Sequence, residues 1–568
     1  MYSLALGDIE NNKKNSLRKE IMKRHPLVLA VSAGLAMTSP AIVQANCPAP
    51  VGGVVTVPTG TTVVVNSSDP IGDGCVIDVN MSIVVEAGGG IGLNYTGIGS
   101  AQGVSANSNA LIGGISISGD VDVDSTGSAR GIRLNGNTLT GNFNIAGTVD
   151  ATGSDASGGI FFVNSELATP LTTSGTVRAS GSLNNNSVGI FIEAYDGATN
   201  PDLTVTSSGR VESDGVAIYG VGLGQAEPAI ADIWLNDGQI RAPEGSSIGG
   251  GIWLDARFGV ETVENNNLIE GRGVISGRPA HAIQISEASF IDRLNNTGTI
   301  TAINGGDGIH IDGKYGMGFL INEFGATISA VDQGSGIYSM GLIGVINNGG
   351  TISGAEHGIS FVERGAGTQL INLGEISGGT GYDIYVDAGR PSDTRQPLFG
   401  LLNAQQGLTY HGVLPVAYLM LVTDSGRFGQ MEVSNGASQM GFSVGSALEP
   451  SNSAASNGSF EEVSAPAVPL SNLNNNWLYP SVLSGVSEAM LLNTTGNSEG
   501  FDWELIPGSE TNVWDLCVGD CSSSSVPVPV MGPWSLLALG GLSGLMGFWG
   551  IRRRQRHLAD RLLKQDSA

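Results

Sequence analysis

Histidines are the side chains of this 568-residue chain best suited to proton transfer near neutral pH, and five of them follow residue 45. They are His281, His310, His357, His411 and His557. None belongs to a His-Glu-x-x-His motif, and no Gly-x-Ser-x-Gly motif occurs, so zinc-protease and α/β-hydrolase chemistry lack their sequence markers. The sequence therefore predicts a protein that is not an enzyme, with no catalytic residue, cofactor or metal.

A glycine-rich segment, Gly305-Gly306-Asp307-Gly308-Ile309-His310, is similar to the calcium-binding nonapeptide of RTX proteins. His310 stands where that motif needs a ligating Asp, and the segment occurs once, whereas such turns share calcium ions between several copies. Calcium binding at this segment is an open alternative to a plain turn.

Aromatic residues recur at one position of a repeated strand, directly after an Ile. The ten residues at this position, which we call the ladder, are Arg133, Phe161, Phe191, Tyr219, Trp253, Gln284, His310, Tyr338, Ser360 and Tyr385. Six of the ten are aromatic, in a chain that is 6% aromatic. Because the flanking residues are apolar, alternation along a strand predicts that the flanks fill a core and that the ladder faces outward.

An outward ladder predicts a ligand-binding face formed by its six aromatic members, Phe161, Phe191, Tyr219, Trp253, Tyr338 and Tyr385. The alternative is that these rings only cover the sheet, or that loops bury them. Asp255, Asp312 and Asp387 lie two residues further on and predict cation ligands or a solvated edge on the same face.

The strands that position the ladder belong to a repeat. Each unit opens on Gly with a β-branched residue soon after, and the ten opening glycines are Gly119, Gly147, Gly175, Gly209, Gly238, Gly273, Gly298, Gly325, Gly350 and Gly374. Their spacings are 28, 28, 34, 29, 35, 25, 27, 25 and 24 residues. Two short strands and glycine-rich corners per period predict an all-β fold, a right-handed parallel β-helix (β-solenoid) of about ten coils.

Both ends carry export features. Basic Met22–His25, the apolar run Pro26–Met37 and Val43-Gln44-Ala45 predict a signal peptide over residues 1–45, with translation starting at Met22. Four cysteines fit an oxidising compartment, and their positions predict the disulfides Cys47–Cys75 and Cys517–Cys521. An uncharged run from Trp534 to Ile551 is just long enough to cross a bilayer as a helix.

Arg552, Arg553 and Arg554 follow that run and predict its cytoplasmic side. Together with Pro529 and Trp534, this C-terminus resembles the IPTL-CTERM and PEP-CTERM sorting segments of Gram-negative bacteria, although the Thr, Ser and Glu usual between Pro and Trp are absent. The resemblance implies cleavage by a membrane sorting protease and display at the cell surface. A plain single-pass anchor is the alternative.

The segment from Gly407 to Val518, with stretches such as Leu408–Tyr418 and Trp514-Asp515-Leu516, is similar to a β-rich module that follows β-helix passengers in autotransporter-like surface proteins. We therefore divide the exported chain by residue number. Residues 46–110 are N-terminal cap strands, 111–389 the β-helix repeats, 390–406 a linker, 407–521 the β-rich module, 522–530 a Ser/Pro linker and 531–568 the sorting and transmembrane segment.

Charge restricts the partners. Between Asn46 and Ile551 the chain has 14 basic and 47 acidic residues, a net charge of −33, which disfavours nucleic acid and anionic lipid. The expected partners are the Sec export machinery, a sorting protease, and a glycan or host-surface ligand.

The sequence thus predicts an exported adhesin or structural surface protein, held first at the inner membrane and then displayed at the cell surface, outer membrane or outside the cell. The alternative is a carbohydrate-active β-helix enzyme, a polysaccharide lyase or hydrolase. Two adjacent outward carboxylates with an Arg in one groove would favour the enzyme, and a smooth face would favour the adhesin.

Overall fold

The computed structural model describes residues 47–519 except 52–53, 59–61, 68–70, 78–81, 86–89, 96–99, 107–110, 182–186, 195–200, 224–227, 276–277, 314, 363–365, 388–399, 424–425, 448–476 and 499. The predicted signal peptide, Cys521, Pro529, Trp534 and Arg552–Arg554 lie outside the described residues, as does the predicted transmembrane run. Among the described residues, no helix has the length and apolar character needed to cross a membrane.

The chain forms two compact units. The first runs to Ala366 and also contains Gly374–Arg395, and the second contains Gly367–Leu373, Gln396–Glu449 and the residues from Asn457 onward. The first unit is an all-β solenoid, and the fold has about 11 turns and essentially no helix. The predicted all-β solenoid is thus confirmed, with about 11 turns where the sequence predicts about ten.

Each turn of the solenoid contributes one strand to each of three parallel sheets, which we name A, B and C in chain order. Sheet A contains Val54–Val57, Ser82–Val85, Gly114–Ile117, Phe143–Ile145, Leu171–Thr173, Leu203–Val205, Ala229–Asn236, Phe258–Asn265, Phe290–Asn296, Gly316–Asn322 and Leu342–Asn348. Sheet B contains Thr62–Ser67, Gly90–Tyr95, Asp120–Ser125, Thr148–Gly153, Thr176–Ser180, Arg210–Ser213, Gln239–Arg241, Leu268–Arg272, Thr299–Ile303, Thr327–Val331, Thr351–Gly354 and Glu375–Gly378.

Sheet C carries the ladder. Its strands are Ile71–Ile77, Ser100–Ala106, Ser128–Asn135, Ala156–Val163, Ser187–Ala194, Val216–Gly222, Ile252–Asp255, Ile283–Ile285, Ile309–Ile311, Ile337–Ser339, Ile359–Phe361 and Ile384–Val386. Three further parallel strands, Leu111–Ile112, Thr138–Leu139 and Glu166–Leu167, form a small separate sheet, and Gly249–Gly250 pairs antiparallel with Leu268–Arg272.

Alternation along the strands builds the core. In Asp120–Ser125, Val121 and Val123 are buried while Asp120, Asp122 and Asp124 are exposed. The inward position of sheet B is filled in successive turns by buried β-branched residues: Val177, Val211, Ile240, Ile269, Ile300, Ile328, Ile352 and Ile376. Each turn buries its apolar face on its neighbours, which is why a single repeat would not be stable alone.

The opening glycines are explained by close backbone contact. A Cβ at Gly147 would lie 1.8 Å from the carbonyl oxygen of Gly119, and one at Gly175 would lie 1.9 Å from that of Gly147. Since neither clash is with a flexible side chain, this corner excludes larger residues in those turns.

One predicted opening is wrong. Gly273-Val274-Ile275 does not begin a turn, because Val274–Ile275 pairs antiparallel with Arg278–Pro279 in a short hairpin. The sheet B strand of that turn is Leu268–Arg272, and Asn267 takes the place of the expected glycine.

The N-terminal segment also differs from its predicted description as cap strands. Val54–Val57 and Thr62–Ser67 are strands, as expected, but they pair in parallel register with the next turns of sheets A and B. Both strands pair in the same parallel way as the strands of the later turns, so the solenoid begins within the predicted 46–110 segment.

The second unit is β-rich. Four parallel strands, Ala366–Asn372, Gly400–Asn403, Ala417–Thr423 and Gly441–Ala447, form one group. A second group contains Leu408–Val413, Met431–Ala437 and Trp477–Ser484 in parallel, then antiparallel Val513–Val518, Phe501–Pro507 and Thr495–Ser498, with a 3-10 helix at Glu488–Met490. Residues 400–403 of the predicted linker are thus a strand of this unit, and 390–399 lie outside the described residues.

Candidate binding face

The ladder residues lie in parallel register on sheet C, one per turn. Arg133 pairs with Phe161, Phe161 with Phe191, and the pairing continues in the same column through Tyr219, Trp253, Gln284, His310, Tyr338, Ser360 and Tyr385. Their flanking residues, such as Ile190 and Ile192 or Ile309 and Ile311, are at most 2% exposed. The predicted assignment of the flanks to the core is therefore confirmed.

The ladder has a covered part. Phe161, Phe191 and Tyr219 are at most 3% exposed and pack in a cluster with Val163, Val188, Val216 and Val221, against which Leu223 and Ile275 also pack. Ring centroids are 5.1 Å apart between Phe161 and Phe191 and 5.7 Å apart between Phe191 and Tyr219. These three rings form an apolar layer outside the solenoid core and offer no free ring face in this structure.

The ladder also has an open part. Trp253, Tyr338 and Tyr385 are half-buried, and the Trp253 indole N–H donates to Ser286 Oγ at 3.1 Å. Tyr338 stacks on His310 with centroids 4.9 Å apart, and Tyr385 stacks on His357 at 4.6 Å. Aromatic and imidazole rings are thus held side by side over consecutive turns, with part of their surface in solvent.

Beside the open part, His281, Asp307 and His310 form a polar cluster. Asp307 Oδ2 lies 2.7 Å from His310 Nδ1 and 3.3 Å from His281 Nδ1, and the two imidazoles stack with centroids 4.0 Å apart. The Asp307 backbone N–H donates to His281 Nδ1 at 2.9 Å, and the Ser335 N–H donates to Asp307 Oδ1 at 2.7 Å. Consecutive turns bring together residues that are 26 positions apart in sequence.

Burial and the imidazoles set the charges in this cluster. Burial opposes ionisation of Asp307, but the neighbouring imidazoles of His281 and His310 outweigh it and hold the pKa of this carboxyl below its ordinary value. Burial lowers the pKa of His281, and its Nδ1 already accepts a backbone N–H, so the ring is neutral near pH 7. The cluster is therefore an ionised carboxylate between two imidazoles.

The sequence missed this cluster. The calcium alternative concerns the segment Gly305–His310, in which His310 departs from the motif, and it does not include His281. A signal was present, because His281 and Asp307 each precede by two residues an Ile of sheet C, Ile283 and Ile309, that pair with one another.

The three aspartates beyond the ladder have different environments. Asp312 is exposed and Asp387 half-buried, but Asp255 is fully buried and accepts the Tyr219 hydroxyl at 3.1 Å and the Ala256 N–H at 2.8 Å. Burial raises the pKa of Asp255 to about 6. Asp255 therefore belongs to the covered part of the ladder and does not solvate the sheet.

Stability should depend on this carboxyl. Because the folded state raises the pKa of Asp255 from 3.8 to about 6, it binds the proton more tightly than the unfolded chain, and stability should fall as pH rises through that window. Asp255→Asn should melt higher than the wild type at pH 7 and converge with it at pH 4. Melting curves of the wild type, this variant and Asp312→Asn, at an exposed position, test this. Parallel pH profiles for the wild type and Asp255→Asn would contradict it.

Sheet B presents a separate column of charges on its outward face, formed by Asp122, Asp150, Arg178, Glu212 and Arg241. Arg178 contacts Glu212 at 2.7 Å and Asp150 at 3.7 Å, and Arg241 contacts Glu212 at 3.3 Å. Burial raises the pKa of Asp150 to about 6, opposed by Arg178 and assisted by Asp122 and Asp124. Two carboxylates, Asp122 and Asp150, are neighbours at the start of the column, and from Asp150 onward carboxylates and arginines alternate, with ion pairs between neighbouring turns.

A small apolar cavity of about 10 Å³ lies within the solenoid, lined by core residues including Leu203, Ile218 and Trp234. Its volume is no more than that of one water molecule, so it is a packing void and not a ligand pocket. The ladder lies on the other side of sheet C from these core side chains.

The cysteines agree with the predicted pairing as far as they are described. Cys47 and Cys75 form a disulfide, and Cys517 is also disulfide-bonded. No protein-family profile matches this chain, and no curated protein sequence matches it significantly.

Proposed function

We propose that this protein is an exported, surface-displayed β-solenoid that binds an extended glycan along the open part of its ladder, acting as an adhesin. The observation that carries the proposal is the in-register column of partly exposed rings at Trp253, His310, Tyr338 and Tyr385. A linear polymer presents the same chemistry every few ångströms. Four of the six turns from Trp253 to Tyr385 carry a ring, with Gln284 and Ser360 in the other two, so the rings present contacts at multiples of the strand spacing of about 4.8 Å.

Ring chemistry and charge favour a neutral glycan. Half-buried Tyr and Trp rings stack on the C–H faces of sugar rings, and the Tyr hydroxyls bond to sugar hydroxyls. The net charge of −33 between Asn46 and Ile551 would repel an anionic polysaccharide. A structural surface role without a glycan is the other form of this proposal.

Export and display rest on sequence features alone. The proposal includes a signal peptide cleaved before Asn46, Sec-dependent export, sorting through Pro529, Trp534 and the arginines at 552–554, and a transmembrane helix in the precursor. The proposal also includes a right-handed coil, because connections between parallel strands are overwhelmingly right-handed.

Removing two exposed rings tests binding. Tyr338→Ala and Tyr385→Ala should each weaken glycan binding about threefold to tenfold, because an aromatic contact contributes about 0.5–1.5 kcal/mol and about 1.4 kcal/mol is a factor of ten. Glycan-array screening of the purified protein, followed by titration of the best ligand, measures this.

Phe319→Ala is the matched control, because Phe319 is 42% exposed on sheet A and lies outside the ladder. Equal weakening by the control, or no weakening by either ladder variant, would refute the ladder as the binding face.

A carbohydrate-active enzyme is the second candidate. Asp150, whose pKa is raised to about 6, lies beside Arg178 on the outward face of sheet B, and a partly protonated carboxyl beside a cation suits acid catalysis. Shortening of the bound polysaccharide by the wild-type protein would favour this candidate over the adhesin.

A further inference from the structure

We propose that His281, Asp307 and His310 bind a divalent transition-metal ion of the zinc class. The site goes beyond glycan binding, because it needs neither a glycan nor export. It lies in two consecutive turns of sheet C, at the edge of the open ladder.

The geometry supports a shared ion. One ligand atom from each of the three residues lies within 4.8 Å of the other two. Asp307 Oδ2 is 2.7 Å and 3.3 Å from the two Nδ1 atoms, close to the separation of about 3–3.5 Å that neighbouring ligands have around zinc with bonds of about 2 Å.

The carboxylate is held in place for this role. The Ser335 N–H donates to Asp307 Oδ1, which leaves Oδ2 directed at the imidazoles. Groups that orient a ligand in this way are typical of metal sites. His310 Nδ1 and Asp307 Oδ2 lie 2.7 Å apart and share a proton, and for an ion to bind at Nδ1 the neutral imidazole must carry its proton on Nε2 instead.

The ligand set selects the class of ion. Two imidazoles and one carboxylate suit zinc and its neighbours, whereas calcium and magnesium prefer oxygen ligands alone. His310 is 18% exposed at its side chain, so solvent reaches one edge of the site.

Binding requires a small rearrangement. Two imidazoles on one ion have centroids about 5 Å apart when the bonds are about 2 Å long, and here they are 4.0 Å apart. His281 must also give up the Asp307 N–H to coordinate through Nδ1. The rings therefore separate by about 1 Å on binding.

The full-length, untagged protein, freed of metal by a chelator, is titrated with zinc chloride by calorimetry, and Co²⁺ is used as a spectroscopic probe. We expect one site in the wild type, lost or weakened at least tenfold in His310→Gln and Asp307→Asn. Unchanged affinity is expected in His357→Gln, the control, because His357 lies in the same column as His281 and Asp307 but is held by the Tyr382 N–H and by ring stacking.

Failure of the wild type to bind zinc, or equal binding by wild type and His310→Gln, would overturn the proposal. Should Asp307→Asn fail to fold by circular dichroism, His310→Gln decides the question, since the His310 side chain is partly exposed. Glycan titration with and without chelator distinguishes the two proposals, because the proposed function predicts glycan binding under both conditions.

Discussion

Replacing Phe191 by Ala is expected to lower the free energy of unfolding of the solenoid by about 3–5 kcal/mol. The Phe191 ring is fully buried between those of Phe161 and Tyr219, and Val163, Val188, Val216 and Val221 belong to the same buried cluster. A cavity would remain there, because strands paired in register on both sides hold the backbone in place.

Tyr338→Ala provides the comparison, since Tyr338 occupies the same column but is half-buried. Tyr338→Ala should lower the free energy of unfolding by only a fraction of the loss expected for Phe191→Ala. Urea unfolding followed by circular dichroism measures both, with the transitions checked for intermediates because repeat arrays can unfold in segments. Similar small effects at both positions would show that Phe191 is exposed in solution, and the binding face would then extend to Phe161.

The register of the ladder could be predicted from sequence and its burial could not. Register follows from alternation and period, and both are local properties of each strand. Leu223, directly after the strand Val216–Gly222, and Ile275, in the inserted hairpin, pack against Phe161, Phe191 and Tyr219. Nothing in a strand's own pattern tells which loops fold back over it.

The wrong opening at Gly273 has a related cause. Glycine was the marker for a turn, but Asn267 fills that corner, and Gly273 serves an inserted hairpin with a left-handed φ of 74°. A better marker ends the sheet A strands, where an Asn occurs at Asn236, Asn265, Asn296, Asn322 and Asn348. The prediction used the glycines, which are spaced 24 to 35 residues apart, and did not use these asparagines.

The polar clusters show a different limit. Asp255 follows a ladder residue by two positions, which predicts a cation ligand or a solvated edge on the outward face. In the structure Asp255 is fully buried and accepts the Tyr219 hydroxyl. His281 is not predicted as a member of the polar cluster, because its partners Asp307 and His310 come from the next turn. Both cases depend on contacts between turns, which a single sequence encodes only through the register.

The asparagines that end the sheet A strands form a buried hydrogen-bonded column, and removing one of them is expected to destabilise the solenoid strongly. The Asn296 side chain accepts from Asn265 Nδ2 at 2.7 Å and donates to Asn322 Oδ1 at 2.8 Å and to the Thr327 carbonyl at 3.1 Å. Asn296→Ala removes all three bonds from a fully buried site. Because each buried polar group left without a partner costs about 1–3 kcal/mol, we expect a loss of about 2–5 kcal/mol in the free energy of unfolding.

Two other asparagines supply the controls, one at the end of the asparagine column and one that is exposed. Asn236 is at the first end, where its Oδ1 has no hydrogen-bond partner, so Asn236→Ala should cost less than Asn296→Ala. Asn266 lies at the same corner but is exposed and bonds to Asp237, so Asn266→Ala should change stability by less than about 0.5 kcal/mol. Urea midpoints in the order Asn296→Ala below Asn236→Ala below Asn266→Ala are expected. If Asn296→Ala is as stable as Asn266→Ala, water replaces the lost bonds, and the stacking of turns depends on the apolar core alone.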